Sequence, residues 1–340
     1  MTSLDRMLSA IYFEKPDQVP VFLNNTLTIP RLIGASVYDI CHKEDKFAEA
    51  LLAGYKFYGY DGVRVGIDGS FEPEAMGCEL NCPENGFWSV KSHILSDPDN
   101  FNRLKIPDPY SSGRMPMMVN TVKRLSGEIG GKAFIGALVL GPAVLASQLM
   151  GVEDYLIALM TDPEYIGKLH DFCVEAATGY AVALYKAGAH GIVIGEAICS
   201  PQVIGAAAYR ESIMPWHKML ISELASRGID VHILHICGNA ESIFSDVAST
   251  GAAGLDVDSP VDMLKERAAL GNRMAFTGNI RPELLLNGSV DEVKAACAKA
   301  LEAKGDSGGL VLNAGCCMAL ETPHENIKAM VEMARVAGCY

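Results

Sequence analysis

Val231-His232-Ile233-Leu234-His235-Ile236-Cys237-Gly238-Asn239 is an apolar run of strand type that closes on an imidazole, a thiol and a glycine. In an extended strand, residues two apart project from the same face. His235 and Cys237 therefore converge, while His232, three residues before His235, faces the other way. Leu310-Val311-Leu312-Asn313-Ala314-Gly315-Cys316 has a similar layout, apolar and extended, then a glycine and a cysteine. Imidazole and thiolate donors brought together at strand ends describe a soft-metal site, above all a zinc site. A lone strand-end cysteine is more often a buried small hydrophobe, and a lone histidine a satisfied polar group. The combination carries the reading, not either residue alone.

Outward from this stretch, short β-branched runs alternate with longer amphipathic ones, the pattern of repeated βα units. The strand-like runs are Val19–Asn25, Gly62–Ile67, Ala133–Val139, Gly191–Glu196, Val231–Cys237, Gly254–Asp258, Arg273–Asn279 and Gly309–Gly315. Helical patterns include Lys46–Gly59, Gly113–Ile129, Asp154–Ala187, Ala206–Ser226 and Asp291–Ala303. The expected architecture is an α/β fold, a single (β/α)8 barrel over residues 1–340. Residues 68–112, rich in Gly, Pro, Asn and Asp, are too long for a plain connector. They are expected to form an insertion after the second strand, with a hairpin around Cys78–Trp88.

On this scaffold Glu196 ends the fourth strand, His235 and Cys237 the fifth, and Cys316 follows the eighth. These are carboxyl ends of strands, where barrel enzymes build their sites. The expected metal set is His235, Cys237 and Cys316, with Glu196 as a fourth donor. Asp256 and Asp258 end the sixth strand on one face, either lining the cavity or serving as satisfied structural carboxylates. Asn279, ending the seventh, suits a substrate hydrogen bond. Glu196, Asn279 and Asp258 are the candidate catalytic groups. Met76 and Trp88 of the insertion are placed over the mouth. Cys317 reads as a buried neighbour of Cys316. Thr322-Pro323-His324-Glu325 reads as a capping box that starts the last helix.

Composition bounds the function. The 340 residues are 49% hydrophobic and 20% charged, enough for one large core. A net charge of −13 with no Lys/Arg cluster argues against a nucleic acid or an anionic membrane as partner. No secretory leader or spanning helix is expected. Ten cysteines without regular spacing fit reduced thiols and a cytoplasmic location better than a disulfide scaffold.

The chain resembles the uroporphyrinogen decarboxylase superfamily along nearly its whole length. The likeness runs from Lys15-Pro16-Asp17-Gln18-Val19-Pro20-Val21 through Glu74-Ala75-Met76-Gly77-Cys78-Glu79 to Thr322-Pro323-His324-Glu325-Asn326. Within it, His-x-Cys followed far downstream by Cys resembles the methylcobamide:coenzyme M methyltransferase branch, and the pattern falls on His235, Cys237 and Cys316. That resemblance implies a zinc barrel that exchanges a methyl group with the cobalt of a separate corrinoid protein, so that the cobalamin is carried by the partner. No Asp-x-His-x-x-Gly cobalt-ligand motif occurs in this chain. The decarboxylase branch itself is disfavoured. Its polycarboxylate substrate calls for an arginine-lined cleft, and Phe22–Ile29 contains no arginine.

A third group, the first methyltransferases of aryl-ether O-demethylases, is similar in another way. Its Glu-x14-Glu-x20-His zinc pattern occurs here at Glu196, Glu211 and His232. That match, with no arginine or lysine clearly on the rim for a sulfonate (Arg64 and Arg281 lie nearest), leads to the expectation of a methyl ether of an aromatic ring as the small methylated substrate. Transfer to a thiol such as coenzyme M is the alternative, and a decarboxylase-like binding protein with structural zinc the second alternative.

Overall fold

The computed structural model describes residues 1–340. The strands are β1 (Gly62–Val65), β2 (Glu79–Asn81), β3 (Ser89–Ser92), β4 (Phe134–Leu140), β5 (Gly191–Gly195), β6 (His232–Ile236), β7 (Gly254–Val257), β8 (Ala275–Ile280) and β9 (Leu310–Ala314). Seven of them pair in parallel in the order β1-β4-β5-β6-β7-β8-β9, while β2 and β3 make a separate antiparallel hairpin. The sheet closes through a splice of two residues, with Val21 bridged to Leu312 of β9 and Phe22 to Gly62 of β1.

The barrel expected from the sequence is therefore present, and its seven regular strands fall within two residues of the predicted ones. The exception is Val19–Asn25, which is reduced to that splice. Pro20 has no N–H to give a ladder. The Val21 amide donates to the carboxylate of Asp61 at 2.9 Å, and the Asn24 amide to the side chain of Asn313 at 3.0 Å. Side chains have taken these two amides, and backbone bonds to the neighbouring strands remain only around Pro20, Val21 and Phe22.

The helical layer departs from the sequence reading at prolines. Asp154–Ala187 divides into Val152–Thr161 and Pro163–Ala187, because the residue before a proline is driven out of helical geometry. Asp162 stands in the break and accepts the Tyr165 amide at 3.1 Å. Ala206–Ser226 likewise breaks into Ala206–Ala208, a π-helical turn Tyr209–Ile213, and Met214–Ala225 with Pro215 in its first turn. The last helix, His324–Ala337, starts where expected, but Pro323 is its N-cap. The Thr322 hydroxyl is buried without a partner, so no capping box forms. The insertion carries its predicted hairpin, yet Met76 and Trp88 are buried in its base rather than spread over the mouth. Arg114 fastens that base, stacked 4.2 Å from the Phe71 ring and 4.3 Å from Trp88 and paired with Glu74 at 2.6 Å.

Strand periodicity sorts the side chains into two cores. Leu234, Ile236, Leu255 and Val257 join the large core between sheet and helices. The alternate residues point into the barrel. Towards the amino ends of the strands, Phe22, Phe134, Val193, Val231, Ile233 and Val311 pack on Met7, Ala10 and Ile11 of the helix Ser3–Ile11. Burying such a side chain contributes about 1.5–3 kcal/mol, so this end is a tight apolar plug. One layer higher the same periodicity delivers Arg64, His235, Asp256 and Asn313, all buried. The parallel register aligns Gly195, His235, Asp256 and Thr277 across β5 to β8. No single helix is long and apolar enough to cross a membrane.

Candidate metal centre

The strand-end histidine and the two cysteines meet. His235 Nε2 lies 3.4 Å from Cys237 Sγ and 3.9 Å from Cys316 Sγ, and the two sulfurs are 4.0 Å apart. Tetrahedral zinc with ordinary bond lengths separates two sulfurs by about 3.8 Å and a sulfur from an imidazole nitrogen by about 3.6 Å. The trio needs only small movements to meet those values, so its residues fit the metal.

Two glycines let the loops come this close. Gly238 has φ +72, and a Cβ there would collide with Gln202 Oε1. Its N–H donates to the Asp258 carboxylate at 2.8 Å, and the Asn239 N–H to Gln202 Oε1 at 3.0 Å. Gly315 presses on Ser259 and Asp258 with no room for a side chain. The turns that carry Cys237 and Cys316 are thus both held against the Asp258 loop.

The two thiols share one proton, with the negative charge favoured on Cys316. The hydrogen bond between them pulls Cys316 down to about 4, helped by His235, and pushes Cys237 well up. Burial opposes charge on His235, but the neighbouring Asp256 outweighs it and lifts the ring to about 10. Without metal, the trio holds protons that a metal ion would displace, since zinc ligands must be deprotonated.

Glu196 does not join this group. Its fully buried carboxylate lies over Gly141, where a Cβ would overlap it. There Oε1 accepts the Ala143 amide at 3.2 Å and His217 Nε2 at 3.0 Å, and Oε2 accepts the Val144 amide at 3.0 Å and the Cys199 thiol at 3.4 Å. Ala143 and Val144 begin the helix Pro142–Met150, where a carboxylate meets the positive end of the helix dipole. Glu196, Cys199 and His217 also place donor atoms within 4.8 Å of one another. The four donors on the carboxylate make that cluster a brace. Neither Cys199 nor His217 stood out in the sequence, because their common partner brings them together only in three dimensions.

The other expected residues are dispersed. Glu211 is exposed on the π-helical turn. His232 points away from the trio and accepts the Ala253 amide on Nδ1 at 3.1 Å. The Glu196, Glu211 and His232 pattern is therefore not assembled in space. Asp258 holds the Gly238 and Ser259 amides, and Asn279 donates to the carbonyl oxygens of Val261 at 2.8 Å and Asp258 at 3.3 Å. Both shape the rim. Burial pushes Cys317 up to about 12, fitting an inert neighbour. Arg64 is inside the barrel, 2.9 Å from Asp256, whereas Arg281 is exposed in a cleft of about 450 Å³ beside Asn279.

Comparison with known proteins identifies the family. Residues 2–336 match the family described as uroporphyrinogen decarboxylase (URO-D). The methylcobamide:CoM methyltransferase MtaA of Methanosarcina barkeri is 31% identical, over 96% of this chain and 95% of its own. The methylcobamide:CoM methyltransferase MtbA of Methanosarcina acetivorans is 30% identical, over 98% of each. A solved methyltransferase from Methanosarcina mazei superposes with a TM-score of 0.91, covering 99% of both chains at 30% identity.

Proposed function

Since the chain belongs to the uroporphyrinogen decarboxylase family, in its corrinoid-dependent methyltransferase branch, we propose that it transfers a methyl group from a methylated corrinoid to a small thiol of the coenzyme M kind. The observation that carries this reading is the trio itself. Three soft donors converge on the rim with no fourth protein ligand among them, the donor count of zinc sites that keep a position for substrate. A purely structural zinc would be enclosed by four.

When bound, zinc supplies the positive charge that turns a thiol into a thiolate near neutral pH. His235, Cys237 and Cys316 hold it, while Asp258 and Gln202 fix the turn that carries Cys237. In the transfer, the thiolate sulfur forms a bond to the methyl carbon, the carbon–cobalt bond breaks, and both its electrons stay on cobalt. The thiol proton leaves to solvent. Sulfur and carbon must first come within about 3–3.5 Å, so the corrinoid, carried by a separate protein, approaches at the strand-end rim.

The aromatic-ether reading loses its support. The relatives MtaA and MtbA are named for CoM, and the glutamate and histidine pattern that suggested the ether is scattered in space. The test is to incubate zinc-loaded protein with methylcobalamin and coenzyme M, following cobalamin absorbance and loss of free thiol. Thiol methylation that disappears in Cys316→Ala is the expected result. No thiol methylation, together with methylcobalamin formed from cob(I)alamin and a methoxylated aromatic, would overturn the proposal.

A further inference from the structure

His235 is the only trio member on a regular strand, and its register partner on β7 is Asp256. His235 Nδ1 lies 3.2 Å from both the Asp256 carbonyl oxygen and the Asp256 Oδ2. With Nδ1–H so engaged, Nε2 is left as the donor that faces the cysteines. Asp256 is not alone. Its Oδ2 accepts from Arg64 Nη1 at 2.9 Å and its Oδ1 from Asn313 Nδ2 at 3.1 Å. Asn313 Oδ1 in turn accepts the amides of Asn24 and Ala314. Arg64 and Asp256 are 5% and 2% exposed, and they stand inside the barrel, where a charge is costly unless paired.

We infer that Arg64 and Asp256 form a relay that sets the donor strength of His235, an inference resting on the zinc reading above. The carboxylate pulls on Nδ1–H and makes Nε2 more electron-rich, as the outer partners of metal-bound histidines do. The guanidinium draws the same carboxylate the other way and limits that effect. Asp256 is a positioning and tuning residue, and Arg64 is its counterweight.

The two therefore act on the metal with opposite signs, an outcome that a merely structural role would not produce. Zinc affinity is to be measured by competition with a chromophoric chelator on purified protein, with folding checked by circular dichroism. Asp256→Asn leaves the carbonyl partner of Nδ1 in place while removing the charge and one of the two acceptor oxygens. It is expected to weaken zinc binding about tenfold, the lower end for such partners. Arg64→Gln is expected to tighten it. Should the glutamine variant not fold, Arg64→Lys keeps the charge and must leave the affinity near wild type. Equal weakening in Asp256→Asn and Arg64→Gln, or wild-type affinity in Asp256→Asn, overturns the relay. A wild-type chain that does not bind zinc overturns the metal reading and the relay with it, and is thereby told apart from failure of the relay alone.

Discussion

Replacing Glu196 by glutamine separates a brace from a ligand. The carboxylate offers two oxygens to four donors, and glutamine keeps only one oxygen. If that oxygen stays with Ala143 and His217, the new NH2 faces the Val144 amide and the Cys199 thiol, which have nothing to donate to. Leaving a buried donor unsatisfied costs about 1–3 kcal/mol, and the hydrogen bonds lost are of the stronger, charge-assisted kind. The negative charge also leaves the start of the helix Pro142–Met150, worth about 0.3–1 kcal/mol. With two donors left unsatisfied, the sum is a loss of about 2–7 kcal/mol. Urea unfolding followed by circular dichroism measures the loss, and elemental analysis of the same sample measures zinc. The expected result is a less stable protein that still holds about one zinc per chain. A variant of wild-type stability that has lost its zinc would refute the reasoning and restore Glu196 as a ligand.

Cys237→Ala and Cys316→Ala should each lose most bound zinc while circular dichroism still reports a folded barrel. His235→Ala should empty the site and His232→Ala should leave it loaded, and elemental analysis that finds the reverse would favour the Glu196, Glu211 and His232 set. Glu72 is wholly buried with Oε1 accepting the Leu140 amide at 2.8 Å, and burial pushes its carboxyl from 4.5 up to about 7. Its protonated form suits the fold, so its stabilising effect is full below pH 4.5 and fades as pH rises to about 7. Each pH unit of that interval is worth about 1.4 kcal/mol. Glu72→Gln should therefore raise stability at pH 8 and leave it unchanged at pH 4, as read from urea midpoints at the two values. Gly238→Ala must strain a left-handed turn by about 1–2 kcal/mol and push away Gln202. Weakened zinc binding, only partly restored by adding Gln202→Ala, is the expected readout of a metal titration.

What the sequence made legible was whatever depends on period and spacing. Alternation at Val231–Cys237 placed His235 and Cys237 on one face, and the βα rhythm placed Cys316 on the same rim. Three things escaped. Val19–Asn25 has the composition of a strand, but side chains of Asp61 and Asn313, distant in sequence, intercept the amides of Val21 and Asn24. Glu196 sits at a strand end like a ligand, and only the fold shows the helix start, His217 and Cys199 turned towards it. The sequence leaves Asp256 open between a cavity-lining and a structural carboxylate, because the contact to His235 depends on the β6–β7 register and the contact to Arg64 on the diameter of the closed barrel.

The apolar stopper formed by Met7, Ala10 and Ile11 against Phe22, Phe134 and Val311 leaves the barrel with a single doorway. In the transfer proposed above, both reactants would share it, although one is a few atoms across and the other arrives on a folded carrier. Once the carrier is seated, it bars the way to anything smaller. For that proposed reaction the sharing would impose an order of traffic in which the thiol enters first, the carrier docks and departs, and the thioether leaves last. Steady-state kinetics should accordingly show ordered binding, with excess carrier inhibiting at low thiol and the inhibition fading as thiol saturates.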